Sequence, residues 1–360
     1  MQREFNGRSC AWTVRFGRKA VGMMLMAMLT AAAAPARDMY VLTSTNASNN
    51  DVLVFEFNLA ATPSLNLVSM LPTGGAGGAA GNGGAVQFAG NFGAVANFGS
   101  NNVTRLVRLN NTIAVANTIS LAPSCTGPVS VALSPSHLYV VGANCAESHL
   151  WPTGALDGKV AVSDSSAGQI AVGQTWAGVT LKSGPVLQLP LTGDGALSGS
   201  GNTVMLPANA NNTPLGAAFW GNIMGLNPAH SPDSFALVDP KGNVYAVQGP
   251  QPAYPANAPC WLAKGPGNIW YSGNSPGSSI SIFFSDGQGG QYYKSISVPG
   301  TPTDIAVSRD QNWLAVIYTA ADGSGGRIGL YSIDDYGDLT LVATSSPVGV
   351  SSFNGVAISQ

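Results

Sequence analysis

The sequence predicts an all-β protein built as a seven-bladed β-propeller, in which the N- and C-terminal strands share one blade. Three observations lead to this prediction. After residue 36 the chain contains many short runs rich in Val, Ile, Tyr and Phe, bounded by Gly, Pro, Asn and Asp, and almost no long segment of helical periodicity. A similar phrase of strand, turn and strand recurs about every 44 residues. The repeating region also begins and ends with half of such a phrase.

Residues 1–36 are predicted to be a secretory signal peptide outside the fold. Basic residues precede an uncharged, mostly apolar run from Ala20 to Ala34, which is shorter than the ~20 residues needed to span a bilayer. Small residues at Ala34 and Ala36 suit a signal peptidase, so we expect cleavage after Ala36. An uncleaved membrane anchor is the alternative. The expected product is secreted or periplasmic and has no membrane span after cleavage.

The charge balance disfavours nucleic acid as a partner. The full chain has 15 Lys and Arg and 17 Asp and Glu, for a net charge of −2. Removal of residues 1–36 takes away five basic residues and Glu4, which leaves 10 basic and 16 acidic residues and a net charge of −6. An acidic chain has no basic surface for a phosphate backbone or an anionic membrane. We expect residues 37–360 to form a single propeller domain that acts as a monomer.

The repeating phrase counts to seven. Successive copies begin at Gly84, Pro128, Thr213, Ala258, Thr301 and Ser346. The one long interval, about 85 residues, is nearly two units, so a degenerate seventh copy is expected to begin near Gly168. A β-sandwich or a pair of small barrels is the structural alternative, and the regular spacing argues against it.

The two ends of the repeating region complement each other. The last phrase stops after one strand, GVAIS, and the mature chain opens with MYVLTSTN, which resembles the second strand of a copy. Sharing a blade would tie down both ends through sheet hydrogen bonds. Polar turns at 193–195 and 335–338 are predicted hairpin turns. The Gly-rich stretch 74–84 lacks the following Lys-Ser/Thr of a phosphate-binding loop, and is predicted to be a flexible inter-blade loop.

Several phrases resemble the seven-bladed lactonase propellers, the family of 6-phosphogluconolactonase and the 3-carboxymuconate cyclases. They are MYVLTSTNASNNDVLVFEFN, TPTDIAVSRDQNWLAVIYT and GLYSIDDYGDLTLV, and the resemblance extends loosely from Met39 to Gln360. It implies a propeller that hydrolyses or cyclises a small lactone at the mouth of its central channel. The same blade rhythm is shared with YVTN-type surface proteins, so a non-catalytic binding or structural propeller of the envelope or cell surface is the alternative.

The sequence departs from that family where the chemistry should lie. Lactone-converting members usually carry a Pro-His-x-His phrase at the start of one inner strand and an Arg-His pair before another. Here the corresponding starts run from Gly127 to Ser130, from Pro214 to Gly216 and from Thr301 to Asp304, and they contain neither motif. The family's catalytic His and Arg therefore have no counterpart, and a fold does not by itself establish a function.

Few side chains are left for acid–base chemistry, because the mature chain has three histidines and two glutamates. The segment from Asn144 to His149 is predicted to be a loop at the channel mouth, which makes Glu147 and His149 candidate catalytic residues or ligands of a divalent cation. His230 is a further catalytic candidate there, and Asp233 and Asp304 are candidate ligand-binding residues. For each, an ordinary solvated loop or turn is the alternative.

The remaining polar and sulfur groups have structural roles in this interpretation. His137 is predicted to be a turn residue on the opposite face of the propeller. Cys125 and Cys145 flank a predicted hairpin, so we expect a disulfide between them, with two free thiols as the alternative. Cys260 is predicted to be a buried core thiol. No spacing matches a zinc or haem motif and no motif requires a cofactor, although a divalent cation stays open. The expected partner is a small molecule or a protein at the propeller mouth.

Overall fold

The computed structural model describes residues 38–151, 153–208, 210–230, 234–248, 258–347 and 353–360. Within these residues the chain forms 28 strands, arranged as seven four-stranded antiparallel sheets, and a single 3-10 turn at Phe98–Ser100. This confirms the predicted seven-bladed β-propeller. The described segments contain no helix of sufficient length and apolarity to cross a bilayer.

Blade 1 is closed by both ends of the chain, as predicted. Its strands are β1 (Met39–Ser44), β2 (Asp51–Asn58), β3 (Ser64–Pro72) and β28 (Asn354–Ser359), and β28 is the innermost. β1 pairs with β28 antiparallel, with Tyr40 opposite Ser359 and Ser44 opposite Asn354. The same β1 pairs with β2 on its other side, so the C-terminal strand completes the sheet formed by the three N-terminal strands.

Blades 2 to 7 each use four consecutive strands that run from the channel outward. Blade 2 contains β4 (Val86–Ala89), β5 (Phe92–Asn97), β6 (Asn102–Leu109) and β7 (Thr112–Ser120). Blade 3 contains β8 (Ser130–Leu133), β9 (His137–Val141), β10 (Cys145–Leu150) and β11 (Leu156–Ala161). Blade 4 contains β12 (Ala167–Val172), β13 (Trp176–Leu181), β14 (Val186–Pro190) and β15 (Asn202–Val204).

The last three blades follow the same order. Blade 5 contains β16 (Pro214–Trp220), β17 (Ile223–Pro228), β18 (Ser234–Val238) and β19 (Val244–Gln248). Blade 6 contains β20 (Pro259–Lys264), β21 (Ile269–Asn274), β22 (Ser279–Ser285) and β23 (Gly290–Ser297). Blade 7 contains β24 (Gly300–Val307), β25 (Trp313–Ala320), β26 (Gly326–Ile333) and β27 (Leu339–Thr344). The degenerate copy expected near Gly168 is blade 4.

The hydrophobic core lies between the blades. Each inner strand contacts the inner strands of both neighbouring blades, and the ring closes from β24 through β28 to β4. Because the side chains of a strand alternate between its two faces, every middle strand packs against two blades, and β9, β13 and β21 are buried along their whole length. The described part of the core divides into seven apolar clusters, for example Val41, Phe55 and Ile317 between blades 1 and 7.

The strand order gives the propeller two distinct faces. We call the end at which the inner strands begin the entry face, and the end at which they finish the exit face. The turns between first and second strands, such as the one before His137, lie at the exit face. The predicted hairpin turns lie there too: Thr192 N–H bonds the carbonyl of Ala196 around 193–195, and Asp334 N–H bonds that of Asp338 around 335–338.

Candidate functional site

Glu147 and His149 lie in the third strand of blade 3, not in a loop at the channel mouth as predicted. Their side chains are 0% and 2% exposed. Glu147 Oε2 is 3.1 Å from His149 Nε2, and Glu147 Oε1 accepts a hydrogen bond of 3.1 Å from the N–H of Ala122, just after blade 2. His149 Nδ1 donates to the carbonyl of Gly154 at 3.1 Å. A polar run predicts a loop, but here the polar side chains are buried in a strand, where protein partners satisfy them.

The disulfide lies beside this buried pair. Cys125 and Cys145 are joined, with their Cα atoms 5.3 Å apart. Together with the Glu147 carboxylate, their sulfurs form the one cluster of potential metal ligands found among the described residues. A metal site needs thiolates, and sulfurs in a disulfide are not thiolates. The third cysteine of residues 37–360, Cys260, is a free thiol that is buried, and burial raises its pKa.

The structure does not bring the other predicted catalytic histidine to the channel. His230 follows β17 in blade 5 and is exposed, with its backbone N–H bonded to the carbonyl of Asn212 at 3.2 Å. It therefore lies on a different blade from Glu147 and His149. Asp233 lies outside the described residues.

Asp304, the other candidate carboxylate, lies in the inner strand β24 and lines the central channel. Its Oδ2 accepts hydrogen bonds from the backbone N–H groups of Gly84 and Val356, each at 3.2 Å, and its Oδ1 accepts one from Ile305 at 2.9 Å. Asp304 as a whole is 5% exposed. Burial raises its pKa to about 7, against the opposing effect of these three donors. Asp304 is therefore partly ionised near neutral pH.

The entry end of the channel is crossed by the Gly-rich segment between β3 and β4. Its Ala79 carbonyl accepts a hydrogen bond from Asn46 Nδ2 in blade 1 (2.6 Å). Its Asn82 Nδ2 donates to the carbonyls of Ala167 and Gly168 in blade 4 (3.0 and 3.2 Å). The segment is thus fixed on both sides of the ring rather than being the flexible loop that was predicted.

Gly83 lies at the centre of this crossing. A Cβ at Gly83 would be 2.2 Å from Gln169 Oε1 and 3.5 Å from the ring of Trp261, residues of the inner strands of blades 4 and 6. The next residue, Gly84, bonds Asp304 in blade 7. Among the described residues, this segment therefore covers the entry end of the channel. A ligand would approach from the exit face.

The channel wall follows a repeated pattern with one polar exception. Six inner strands carry alanine at equivalent positions, namely Ala132, Ala171, Ala218, Ala263, Ala306 and Ala357. The seventh, β4, carries Gln87, whose amide forms no hydrogen bond with the described residues. The small alanine side chains leave a channel cavity of about 260 Å³, which Gln87 and Asp304 both line. Gln87 therefore offers a donor and an acceptor to a ligand.

The next position along each inner strand has a second exception. Six strands carry an apolar residue there: Phe88, Leu133, Val172, Phe219, Val307 and Ile358. Strand β20 carries Lys264, which lines the same cavity. Its Nζ donates to the carbonyls of Gly265 and Gly267 (2.8 and 2.7 Å) and lies 5.3 Å from the ring centre of Trp220. Burial lowers its pKa to about 8. An ammonium has three N–H donors, so one remains for a ligand.

A wider cavity of about 610 Å³ adjoins the channel at the exit face. The two cavities share Gln87, Leu133, Ala306 and Val307 in their linings. The wider one adds the exposed Arg309, whose guanidinium has no carboxylate partner among the described residues. The exit face thus combines two cations, a free amide and apolar walls, which suits a small ligand with an anionic group.

Comparisons with known proteins identify the fold. The sequence matches no protein-family model and no curated protein. Among solved structures it is similar to a periplasmic gluconolactonase of Pseudomonas aeruginosa, with a TM-score of 0.63 and 15% identity over 90% of this chain and 99% of that one. It is also similar to candidate 6-phosphogluconolactonases of Bacteroides fragilis (TM-score 0.63, 12% identity, 90% and 99% covered) and Bacteroides uniformis (0.61, 16%, 89% and 99%). At these identities the likeness concerns the fold alone, a seven-bladed β-propeller.

Proposed function

We propose that this chain is an exported hydrolase of small lactones that carry an anionic group, with its active site in the central channel reached from the exit face. The observation that carries the proposal is the Asp304 carboxyl group, which lines the channel cavity and has its pKa raised to about 7. A base with a pKa near the working pH is well suited to proton transfer. The likeness to lactonase propellers supplies the substrate class.

In this mechanism Asp304 acts as the general base. A carboxylate has about four acceptor positions, and three are taken by backbone N–H groups, so one is left for a water molecule. Asp304 takes a proton from that water as its oxygen attacks the lactone carbonyl carbon. The ring C–O bond then breaks, and Asp304 returns this proton to the leaving alkoxide, which becomes the hydroxyl of the product acid.

The cations supply binding and orientation in the proposed complex. Lys264 would donate its remaining N–H to the anionic group of the substrate, and Gln87 would bind a hydroxyl or carbonyl oxygen. Arg309, at the rim, would attract the anion from solvent. Charge-assisted hydrogen bonds of this kind contribute about 1.5–3 kcal/mol each.

The test is hydrolysis of a panel of aliphatic, sugar-derived and muconate lactones by residues 37–360, followed by acid release at constant pH. We expect turnover of an anionic member to fall at least a hundredfold in Asp304→Asn and to keep its wild-type rate in Asp335→Asn, a matched change in an exposed hairpin turn. Lys264→Met is expected to raise KM more than it lowers kcat. Hydrolysis that survives Asp304→Asn would remove Asp304 from the chemistry.

A non-catalytic binding role is the second candidate, and one observation favours it. Asp304 is held by donors from three different inner strands, β24, β28 and the approach to β4, so its carboxylate also serves to join the ring. If that is its whole role, an anionic lactone acid will bind in a titration calorimeter, will bind less well to Lys264→Met, and no lactone will be turned over.

A further inference from the structure

A second group of polar side chains at the exit face, outside the channel, forms a continuous Ser–His–Asp chain. Ser136 Oγ is 2.8 Å from His137 Nδ1, and His137 Nε2 is 2.6 Å from Asp157 Oδ2. Ser136 lies in the turn between β8 and β9, His137 begins β9, and Asp157 lies on the outer strand β11. A nucleophile bonded to a base that is itself bonded to a third group is the arrangement that activates serine in hydrolases.

One tautomer of His137 orients the hydrogen bonds of this chain for catalysis. In that tautomer Nε2 carries the proton and donates it to the Asp157 carboxylate. Nδ1 then has a free lone pair that accepts a hydrogen bond from the Ser136 hydroxyl, which also lies 3.5 Å from the carbonyl oxygen of Asp194. Ser136 Oγ is therefore within hydrogen-bond distance of a base whose other nitrogen faces a carboxylate.

Ser148 holds the Asp157 carboxylate in place and is itself held by blade 4. Ser148 Oγ donates to Asp157 Oδ1 at 2.7 Å and accepts a hydrogen bond from the N–H of Leu197 in blade 4 at 3.0 Å. Ser148 and Leu197 are both buried. Such outer contacts fix the orientation of a catalytic carboxylate in the same way as they fix its histidine.

The imidazole is enclosed while the serine is open. His137 is 1% exposed, with Tyr139 at a ring-centre distance of 5.9 Å on one side and Gly195 on another, where a Cβ would lie 2.9 Å from Nδ1. Ser136 is exposed. Its two preceding residues, Ser134 and Pro135, line the 610 Å³ exit-face cavity. The exposed Ser136 thus directly follows the lining of this cavity in sequence, while the His137 ring is shielded from water.

We propose that Ser136, His137 and Asp157 form a second hydrolytic centre that takes small activated esters. Ser136 Oγ bonds to the acyl carbon, its proton passes to His137 Nδ1, and Asp157 stabilises the resulting imidazolium. The C–O bond to the leaving alcohol breaks as His137 returns the proton to that oxygen. Water then releases the acid by the same steps in reverse order. This centre is independent of Asp304, so either proposal stands if the other fails.

The test uses residues 37–360 and a fluorophosphonate probe, with the labelled serine mapped by peptide mass spectrometry. We expect Ser136 to be labelled, Ser136→Ala to abolish that labelling, and Asp157→Asn to slow it at least tenfold. Ser200 is an exposed serine without a histidine partner among the described residues, so Ser200→Ala serves as the matched control and should label at the wild-type rate.

The outcomes separate catalysis from a purely structural contact. Asp157 and Ser148 also join blades 3 and 4, so the unfolding midpoint of each variant is measured in parallel, and Ser148→Ala provides a second variant that leaves the three central groups in place. Wild-type protein in which Ser136 reacts no faster than Ser200 would overturn the proposal, as would wild-type labelling rates in folded Asp157→Asn. Retention of p-nitrophenyl acetate hydrolysis by Asp304→Asn, with its loss in Ser136→Ala, would support it.

Discussion

Replacing Asp304 by Asn should change how the stability of this propeller depends on pH. Asp304 has a pKa of about 7 in the folded chain because it is buried, against an ordinary value of 3.8. The folded state therefore keeps a proton on this group between pH 3.8 and 7 that the unfolded chain has already lost. Stability from the group is fully present below pH 3.8 and is lost as the pH rises through 7, with a slope of about 1.4 kcal/mol per pH unit.

The size of the effect follows from the same two values. A difference of about 3 pKa units corresponds to about 4 kcal/mol at 1.36 kcal/mol per unit. This is a large part of the 5–15 kcal/mol by which a domain is ordinarily stable. Asn cannot ionise, so the stability of Asp304→Asn relative to wild type should rise by about 4 kcal/mol between pH 4 and pH 8. All other titrating groups are common to both proteins and cancel in the comparison.

The measurement is urea unfolding of wild type and Asp304→Asn, followed by tryptophan fluorescence at five pH values from 4 to 8. Asp335→Asn makes the same substitution in an exposed hairpin turn and serves as the matched control. The reasoning is refuted if the Asp304→Asn difference changes by less than 1 kcal/mol over this range, since the carboxylate would then be as well accommodated in the fold as in water.

Three further outcomes can be checked on the same protein. Without reductant, Cys125 and Cys145 should resist alkylation, and alkylation of both thiols would contradict the disulfide. Replacing both by Ser should lower the free energy of unfolding by about 3 kcal/mol, from the loop-closure entropy for a separation of 20 residues. Gly83→Ala should lower stability by about 1–3 kcal/mol, because its Cβ would displace Gln169, whereas Gly193→Ala meets nothing within 4 Å and serves as control. Lys264→Met should weaken binding of an anionic lactone acid tenfold or more by calorimetry, and unchanged affinity would show that Lys264 does not contact the anion.

The blades could be counted from the sequence because each repeats the same physical requirement. An inner strand needs small apolar residues after a turn, and this need recurs about every 44 residues whatever the function. The shared blade was predictable for the same reason, since MYVLTSTN and GVAIS are complementary halves of one phrase. Even the degenerate copy near Gly168 could be placed from spacing alone.

The positions of Glu147 and His149 could not be predicted in this way. Strand prediction relies on apolar residues at buried positions, and β10 reads Cys-Ala-Glu-Ser-His-Leu. Glu147 and Ser148 are buried because they accept hydrogen bonds from the N–H groups of Ala122 and Leu197, which are distant in sequence. His149 is satisfied by the nearby Glu147 and Gly154. A register shift between Ser148 and His149 in the pairing with β11 further decides which residues meet Asp157, and no local signal in the sequence encodes it.

Gln87 and Lys264, by contrast, were within reach of the sequence. When the seven inner strands are aligned, one position is alanine in six copies and Gln87 in the seventh. The following position is apolar in six copies and Lys264 in the remaining one. The packing of seven similar blades would be served equally well by alanine and an apolar residue at these two positions. Burial removes part of the hydration of the Lys264 ammonium, and this lowers its pKa to about 8. Gln87 and Lys264 thus depart from the sevenfold pattern beside the same cavity, and each lowers the stability of the fold or leaves it unchanged. These two residues therefore indicate a ligand-binding role rather than a structural one.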